Sequence, residues 1–509
     1  MKRLLILFLT LVICLSVFAC ENNSPQKHSP DSGYEVHCDS NSDKKCDECG
    51  ISVVTTFDFY AINDLHGKFV TSSNTTGVEG LTTYLKTSAA LDDNPIFFSS
   101  GDMWQGGAQS NLTKGAIVTE WMNSLGFASM TLGNHEFDWG EQYIEDNATL
   151  ANFPFLAINI YEKGTDKPVD YCKSSVMVEC DGLQVGIIGA IGDCYSSISA
   201  DKVENIYFKT GAELTSLVKA ESQKLRNDGA DIIVYSLHDG ASKKPTGEVI
   251  SNSALMPYYD TSLSSGYVDI VFEGHSHIGY TVRDGKNIYH LQNSGDNGSI
   301  SHAELEYNFA NGDINVNEAE QVPSYRYQQL ESDSVVSELL EKYKNEVSKA
   351  DEVLGKNIAS RNETVIRSTV AELYFEAGNE RWGDKYDIVL GGGFMSVRSP
   401  GYLHTGDITY ADLQAILPFD NEIVLCSVKG RDLLNKFINT NNSSYSIYYG
   451  DYGNSIKGDI DYNATYYLIT DTYTSYYSYN NLTVVEKYGS DVFARDLLAE
   501  YIKAGNWGE

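Results

Sequence analysis

Along the first half of the chain, short apolar runs repeatedly break into polar turns. "TTFDFYAINDLHG" starts at Thr55 and ends in Asp64, His66 and Gly67, and "NPIFFSSGD" ends in Asp102. "ASMTLGNHE" reaches Asn134 and His135, "ADIIVYSLHDG" reaches His238, and "VDIVFEGHSH" ends in His277. Apolar runs of this length, bounded by turn residues, predict buried strands. Helical patterns lie between them, around 117–125 and in "GAELTSLVKAESQKLRNDG". Strand and helix in alternation predict an α/β fold with a layered sheet, whose strand-end loops carry ligand sites. Further on, "DSVVSELLEKYKNEVSKAD" sets Val336, Leu339, Leu340, Tyr343 and Val347 at helical spacing, which predicts a linker helix over 331–352.

Composition narrows the class. A chain of 509 residues, 42% hydrophobic, accommodates two or three domains with sizeable cores and is not disordered overall. Its formal charge of −33 repels phosphate backbones and excludes a non-specific binder of nucleic-acid polymers. A small anionic substrate stays compatible, because divalent metals reverse the potential locally. Lys2 and Arg3 precede an apolar run, the layout of a secretory signal over 1–19. Val17-Phe18-Ala19-Cys20 resembles the bacterial lipobox and implies cleavage before Cys20 with lipid on its sulfur. The expectation is an exported cell-surface or periplasmic lipoprotein that meets the membrane through this anchor alone, since no later stretch is apolar enough to span a bilayer. Residues 20–52 then read as a lipidated tether with a Cys/Asp-rich segment. There Asp39, Asn41, Asp43 and Asp47 match positions 1, 3, 5 and 9 of a calcium-type loop that lacks its Gly and Glu. Cys38, Cys46 and Cys49 suggest a disulfide or small metal knot, and Cys172 and Cys180 are candidates to pair. Cys194 and Cys426 have no evident partner and no evident place near the motifs.

The strand-end loops supply Asp64, His66, Asp102, Asn134, His135, His238, His275 and His277, which include five of the ten histidines. Oxygen and imidazole donors without thiolate suit Mn, Zn, Fe or Co rather than a sulfur-bound structural zinc. A lone D-x-H is usually a turn, and a lone G-D says almost nothing. The signal is their order, each at the end of an apolar run.

That order (D-x-H, G-D, G-N-H-E, H, G-H-x-H) resembles the calcineurin-like metallophosphoesterases. Over about residues 53–500 the chain resembles, more closely, the bacterial 5′-nucleotidase family with its UDP-sugar hydrolases and 2′,3′-cyclic-nucleotide phosphodiesterases; "NDLHGKF", "GNHEFDWG" and "EGHSH" carry the resemblance. It implies an α/β architecture: a layered βαββ-type sandwich over 53–330, the linker helix, and a second, smaller α/β substrate-binding domain over 353–509. It also implies two divalent metal ions bridged by Asp102, one held by Asp64, His66 and His277, the other by Asn134, His238 and His275. Two metals can share a hydroxide that attacks phosphorus in line. His135 would then donate to the developing charge or leaving oxygen, oriented by Asp138.

In the second half, Arg398 matches the family's phosphate-binding arginine, and Phe419 and Asn421 its base-holding positions. The chain departs from the family at Leu390, where an Asn is usual, and late on, where "TDTYTSYYSYNN" replaces a Gly-Gly-Asp-Gly-Tyr turn. Spacing leaves Tyr473, Tyr476 and Tyr477 as candidates for a second stacking ring. The function implied is removal of phosphate from nucleoside 5′-monophosphates or related nucleotides. The alternative is a 2′,3′-cyclic-nucleotide or other phosphodiesterase using the same site. A binding protein on a degenerate scaffold is disfavoured by the intact ligand set. A small nucleotide is the only partner implied; no protein partner is.

Overall fold

The computed structural model describes residues 39–47, 52–71, 76–245, 258–450, 460–476, 480–489 and 492–507. The signal, Cys20, Cys38, Cys49 and Tyr477 lie outside them.

Alternation along the strand Val54–Ile62 shows how the first domain is layered. Phe57, Phe59 and Ala61 point into one core, while Tyr60 and Ile62 point into another. A period of two does this because successive side chains leave opposite faces of a strand. Two six-stranded sheets result. In the first, Val54–Ile62, Ile96–Ser99, Ser129–Thr131 and Phe155–Leu156 run parallel, with Ser299–Asn308 and Ile314–Pro323 added antiparallel. In the second, Leu183–Ile191, Ile232–His238, Ile270–Glu273 and Tyr289–Gln292 run parallel, with an antiparallel strand on each edge. Phe57, Phe59, Phe98, Val185, Val234 and Phe272 fill the space between the sheets. Helices 79–87, 116–125 and 141–150 cover the first sheet through Leu85, Trp121 and Ile144. Helix Gly211–Asn227 covers the second through Val218 and Leu225. The order of layers is helix, sheet, sheet, helix, and all the parallel strands end at one end of the sandwich.

The connecting segment differs from a single helix. It is a helix at Ser334–Lys342, a short one at Lys344–Val347 and a 3₁₀ turn at Ser348–Asp351, broken at Tyr343. Val336, Leu339 and Val347 are buried, as their spacing predicts. At Tyr343 a tertiary contact wins over periodicity: its hydroxyl donates to Glu120 Oε1 at 3.1 Å, and its ring packs against the first domain. Nor do Cys172 and Cys180 pair; both are free thiols. Cys172 donates to the Ala157 carbonyl at 3.5 Å, while Cys180 sits opposite Leu183 at the turn of an edge hairpin.

The second domain is built on a five-stranded mixed sheet, with Ile388–Phe394 and Thr465–Asp471 parallel at its centre. Helices Glu363–Trp382 and Ala494–Lys503 pack on one face, and the turn Leu433–Ile438 on the other. Gly391 belongs to the strand itself. A Cβ there would lie 2.4 Å from the Phe375 amide nitrogen, so glycine lets the long helix approach the sheet. Among the described residues no helix is long and apolar enough to cross a membrane.

The inter-sheet core holds the strand ends in register. The Phe272 ring meets that of Phe98 edge-on at 5.0 Å and is fully buried. Phe272→Ala is expected to destabilise the first domain by about 3–5 kcal/mol. A denaturant titration followed by tryptophan fluorescence reads this as a lower midpoint, and an unchanged midpoint would contradict the packing described.

Candidate active site

Each expected ligand sits just past, or at, the carboxyl end of a parallel strand. Asp64 and His66 follow Val54–Ile62, Asp102 follows Ile96–Ser99, and Asn134 follows Ser129–Thr131. His238 closes its own strand, and His275 and His277 follow Ile270–Glu273. To turn inward at these points the backbone adopts a conformation that L-residues rarely use. Asp64, His66, Asp102, His275 and His277 all have φ between 49° and 72°. Such strain persists only where surrounding contacts over-determine it, and it concentrates at functional sites.

The polar atoms meet as acceptors. His66 Nδ1 donates to the Gln105 carbonyl at 2.9 Å, leaving the Nε2 lone pair 2.9 Å from His277 Nε2. Asp64 Oδ1 lies 3.3 Å from the same His277 nitrogen. His238 Nδ1 donates to the Ser100 carbonyl at 2.7 Å, which aims Nε2 at Asp102 Oδ2, 3.1 Å away, and at Asn134 Oδ1, 3.3 Å away. That Asp102 oxygen is buried and has no donor other than His238 Nε2. His275 Nδ1 approaches the Asn134 oxygen at 2.9 Å. A single proton can serve one of these approaches; a cation between the groups serves all of them. The donor set fits divalent metal in two adjoining groups, Asp64–His66–His277 and Asp64–Asp102–His238. Charge balance points the same way. Burial and His277 drive His66 down to about 3. Burial also opposes a charge on His238, yet Asp102 outweighs it and lifts that imidazole to about 10, so the carboxylate favours positive charge at its side, which a proton on His238 or a metal ion can supply.

His135 stands apart from this cluster. Its amide donates to Asp102 Oδ1 at 2.9 Å, and its Nδ1 pairs with Asp138 Oδ2 at 2.8 Å. Burial disfavours its charge, but Asp138 and Asp102 overcome that and raise it to about 9. Both carboxylates therefore favour the protonated ring. Its face stacks on Phe419 of the second domain, with centroids 5.6 Å apart.

Phe419 marks a cavity of about 280 Å³ between the domains. Arg398, Phe419, Asn421 and Tyr473 line it, together with Asn134, His135, Asp138 and His275. The Arg398 guanidinium lies 5.6 Å over the Phe419 ring. Tyr476 is not brought in. It ends the short helix Thr472–Tyr476, one turn along from Tyr473, and is 37% exposed beside Lys487 and Glu422.

Several residues in or beside the site are not evident from the motifs. Ser197, Ser199 and Lys202 reach the cavity from the first domain, and Phe394 and Asp471 from the second. Cys194 sits beside His238 and His275, contrary to its expected remoteness, and donates to the His238 carbonyl at 2.9 Å. It follows the strand Leu183–Ile191, the same strand-end signal that marks the ligands. Glu136, the acid of G-N-H-E, is fully buried and accepts from the amides of Gly133 (2.7 Å), Asp102 (2.9 Å) and Met103 (2.8 Å). It ties the loop carrying Asp102 to the loop carrying Asn134. Gly133 permits that closeness, since a Cβ there would lie 2.2 Å from Asp102 Oδ1.

Residues 57–279 match the family of calcineurin-like phosphoesterases. The first domain is a calcineurin-like phosphoesterase domain. Over 407 residues the chain is 25% identical to Protein UshA of Yersinia enterocolitica, covering 72% of each protein. Over 425 residues it is 25% identical to a 5′-nucleotidase of Diplobatis ommata, covering 75% of this chain and 69% of that one. The fold is similar to the crystal structure of a 5′-nucleotidase precursor from Thermus thermophilus, with a TM-score of 0.64 at 17% identity, over 89% of this chain and 96% of that one. With such a domain this phosphoesterase is a metal-dependent hydrolase of phosphoric esters.

Glu136→Gln would set an amide NH₂ against backbone N–H groups. The expected cost is about 1–3 kcal/mol, with weaker metal retention. Thermal melting and metal content after dialysis measure both; unchanged values would show that Glu136 does not hold the two loops.

Proposed function

We propose that this phosphoesterase is exported and removes phosphate from nucleoside 5′-monophosphates or related nucleotides. Asp64, His66 and His277 would hold one divalent ion, Asn134, His238 and His275 a second, and Asp102 would bridge them. The ions, when bound, would lower the pKa of a water and neutralise charge on the phosphate. The remaining work belongs to the chain's own groups. His135, its Nδ1 engaged by Asp138, keeps Nε2 for the leaving oxygen and carries a proton to give. Arg398 offers a forked donor to phosphate oxygens. Phe419 and Tyr473 offer faces to a base, with Asn421 at its edge. Residues 353–509 would thus be the substrate-binding domain of a phosphoesterase spanning 53–330. Export, with attachment at Cys20, rests on the charged and apolar pattern of residues 1–20.

One observation carries the reading. A cluster of buried acceptors that fits divalent cations faces, across His135, a cavity holding an arginine and aromatic rings from the other domain. The relatives named a 5′-nucleotidase support the choice of nucleotide.

The test is product formation by the metal-loaded protein from AMP, UDP-glucose and 2′,3′-cyclic AMP. Phosphate release from AMP is expected; cleavage of the cyclic nucleotide alone would make the protein a phosphodiesterase instead. His135→Ala should keep its metals and lower turnover by about 10²–10⁴-fold. Loss of metal in that variant, or full activity, would refute the role given to His135.

A further inference from the structure

One strained lysine reaches from the first domain into the second. Lys114, between helices Ala108–Leu112 and Ala116–Leu125, has φ of 51°, although it ligates nothing and does not line the cavity. Its carbonyl accepts from Asn147 Nδ2 at 2.8 Å, which fixes the turn. Its ammonium lies 5.0 Å from the Trp139 ring centroid and bonds Asp420 Oδ2 of the second domain at 2.5 Å. The other Asp420 oxygen is already paired with Arg495 of its own domain, and Arg495 also donates to the Phe419 carbonyl at 2.9 Å. Arg495 thus pairs with Asp420 within the second domain, and Lys114 adds a tie from the first domain to the same carboxylate. Beside it, Asn111 Nδ2 donates to the Pro418 carbonyl at 2.9 Å. The first domain thus grips the loop on both sides of Phe419, at Pro418 and at Asp420, while the Phe419 ring rests on His135.

We propose that Lys114 is a positioning residue for substrate: with Asn111 it clamps residues 418–420 so that Phe419 stands beside His135, ready for a base. The inference rests on the nucleotide reading above only in assigning a base to Phe419. The clamp itself is independent of substrate. Removing Lys114 leaves Asp420 paired with Arg495, so the variant retains a neutralised interface.

The experiment compares wild type, Lys114→Met and Lys114→Arg as metal-loaded proteins, with AMP and with ribose 5-phosphate, which keeps phosphate and sugar but has no base. Lys114→Met should raise KM for AMP by about tenfold or more, while kcat/KM for ribose 5-phosphate changes by less than about twofold. Lys114→Arg should restore most of the loss. Hydrogen exchange in a peptide spanning 415–425 should quicken in the Met variant and recover in the Arg variant. Unchanged exchange overturns the clamp. Faster exchange with an unaltered KM, or equal losses on both substrates, overturns its role in placing the base. A wild type inert towards AMP would refute the nucleotide reading alone, leaving exchange to decide the clamp.

Discussion

Several groups that repel one another are held together at the end of the sandwich. The carboxylates of Asp64 and Asp102, the Asn134 oxygen and lone pairs of four imidazoles converge in a space largely closed to water. Without a cation between them, such groups would move apart or take up protons. The rest of the first domain works against that tendency. Two mixed sheets, locked face to face through Phe98, Phe272 and their neighbours, deliver the ends of their parallel strands to one place. The left-handed turns at Asp64, His66, Asp102, His275 and His277 aim the donors inward. Glu136 then binds two of those turns to each other through backbone amides. Packing supplies the rigidity, and the site uses it to keep acceptors at distances they would not choose.

The same constraint explains how a very acidic chain handles an anionic ester. A formal charge of −33 sets a repulsive background. Locally, the sign is reversed by the cluster that fits divalent cations, by His135, whose protonated form Asp138 and Asp102 favour, and by Arg398. These lie on the cavity side of the strand ends, so attraction is confined to the place where phosphate can react. The second domain contributes Arg398 and the aromatic faces, and its loop around Phe419 is shaped by contacts with the first. The cavity belongs to neither domain alone.

Much of this was legible before any fold was known. The apolar runs ending in Asp64, Asp102, Asn134, His238 and His277 predict both the strands and the loops that converge, because burial and turn formation are written locally in residue type. The linker was less legible. Its periodicity is helical throughout, yet the helix breaks where Tyr343 finds Glu120, more than two hundred positions away in sequence. Among the late tyrosines, spacing could not separate Tyr473 from Tyr476, which lie one helical turn apart; only Tyr473 reaches the cavity. Cys194 and Glu136 carried weak signals of their own, a strand end and the last letter of G-N-H-E, but their roles depend on what lies opposite them.

By itself, then, the sequence determined the layered α/β class, the acidic surface, the order of the ligand-bearing loops and the chemical hardness of their donors. Tertiary structure decided which acceptors face one another, that Asp102 turns an oxygen towards His238, that Phe419 rests on His135, and that Lys114 reaches Asp420. The reason is physical. Strand propensity and turn chemistry act over a few residues, whereas electrostatic pairing and ring stacking depend on distances that exist only once remote segments have packed.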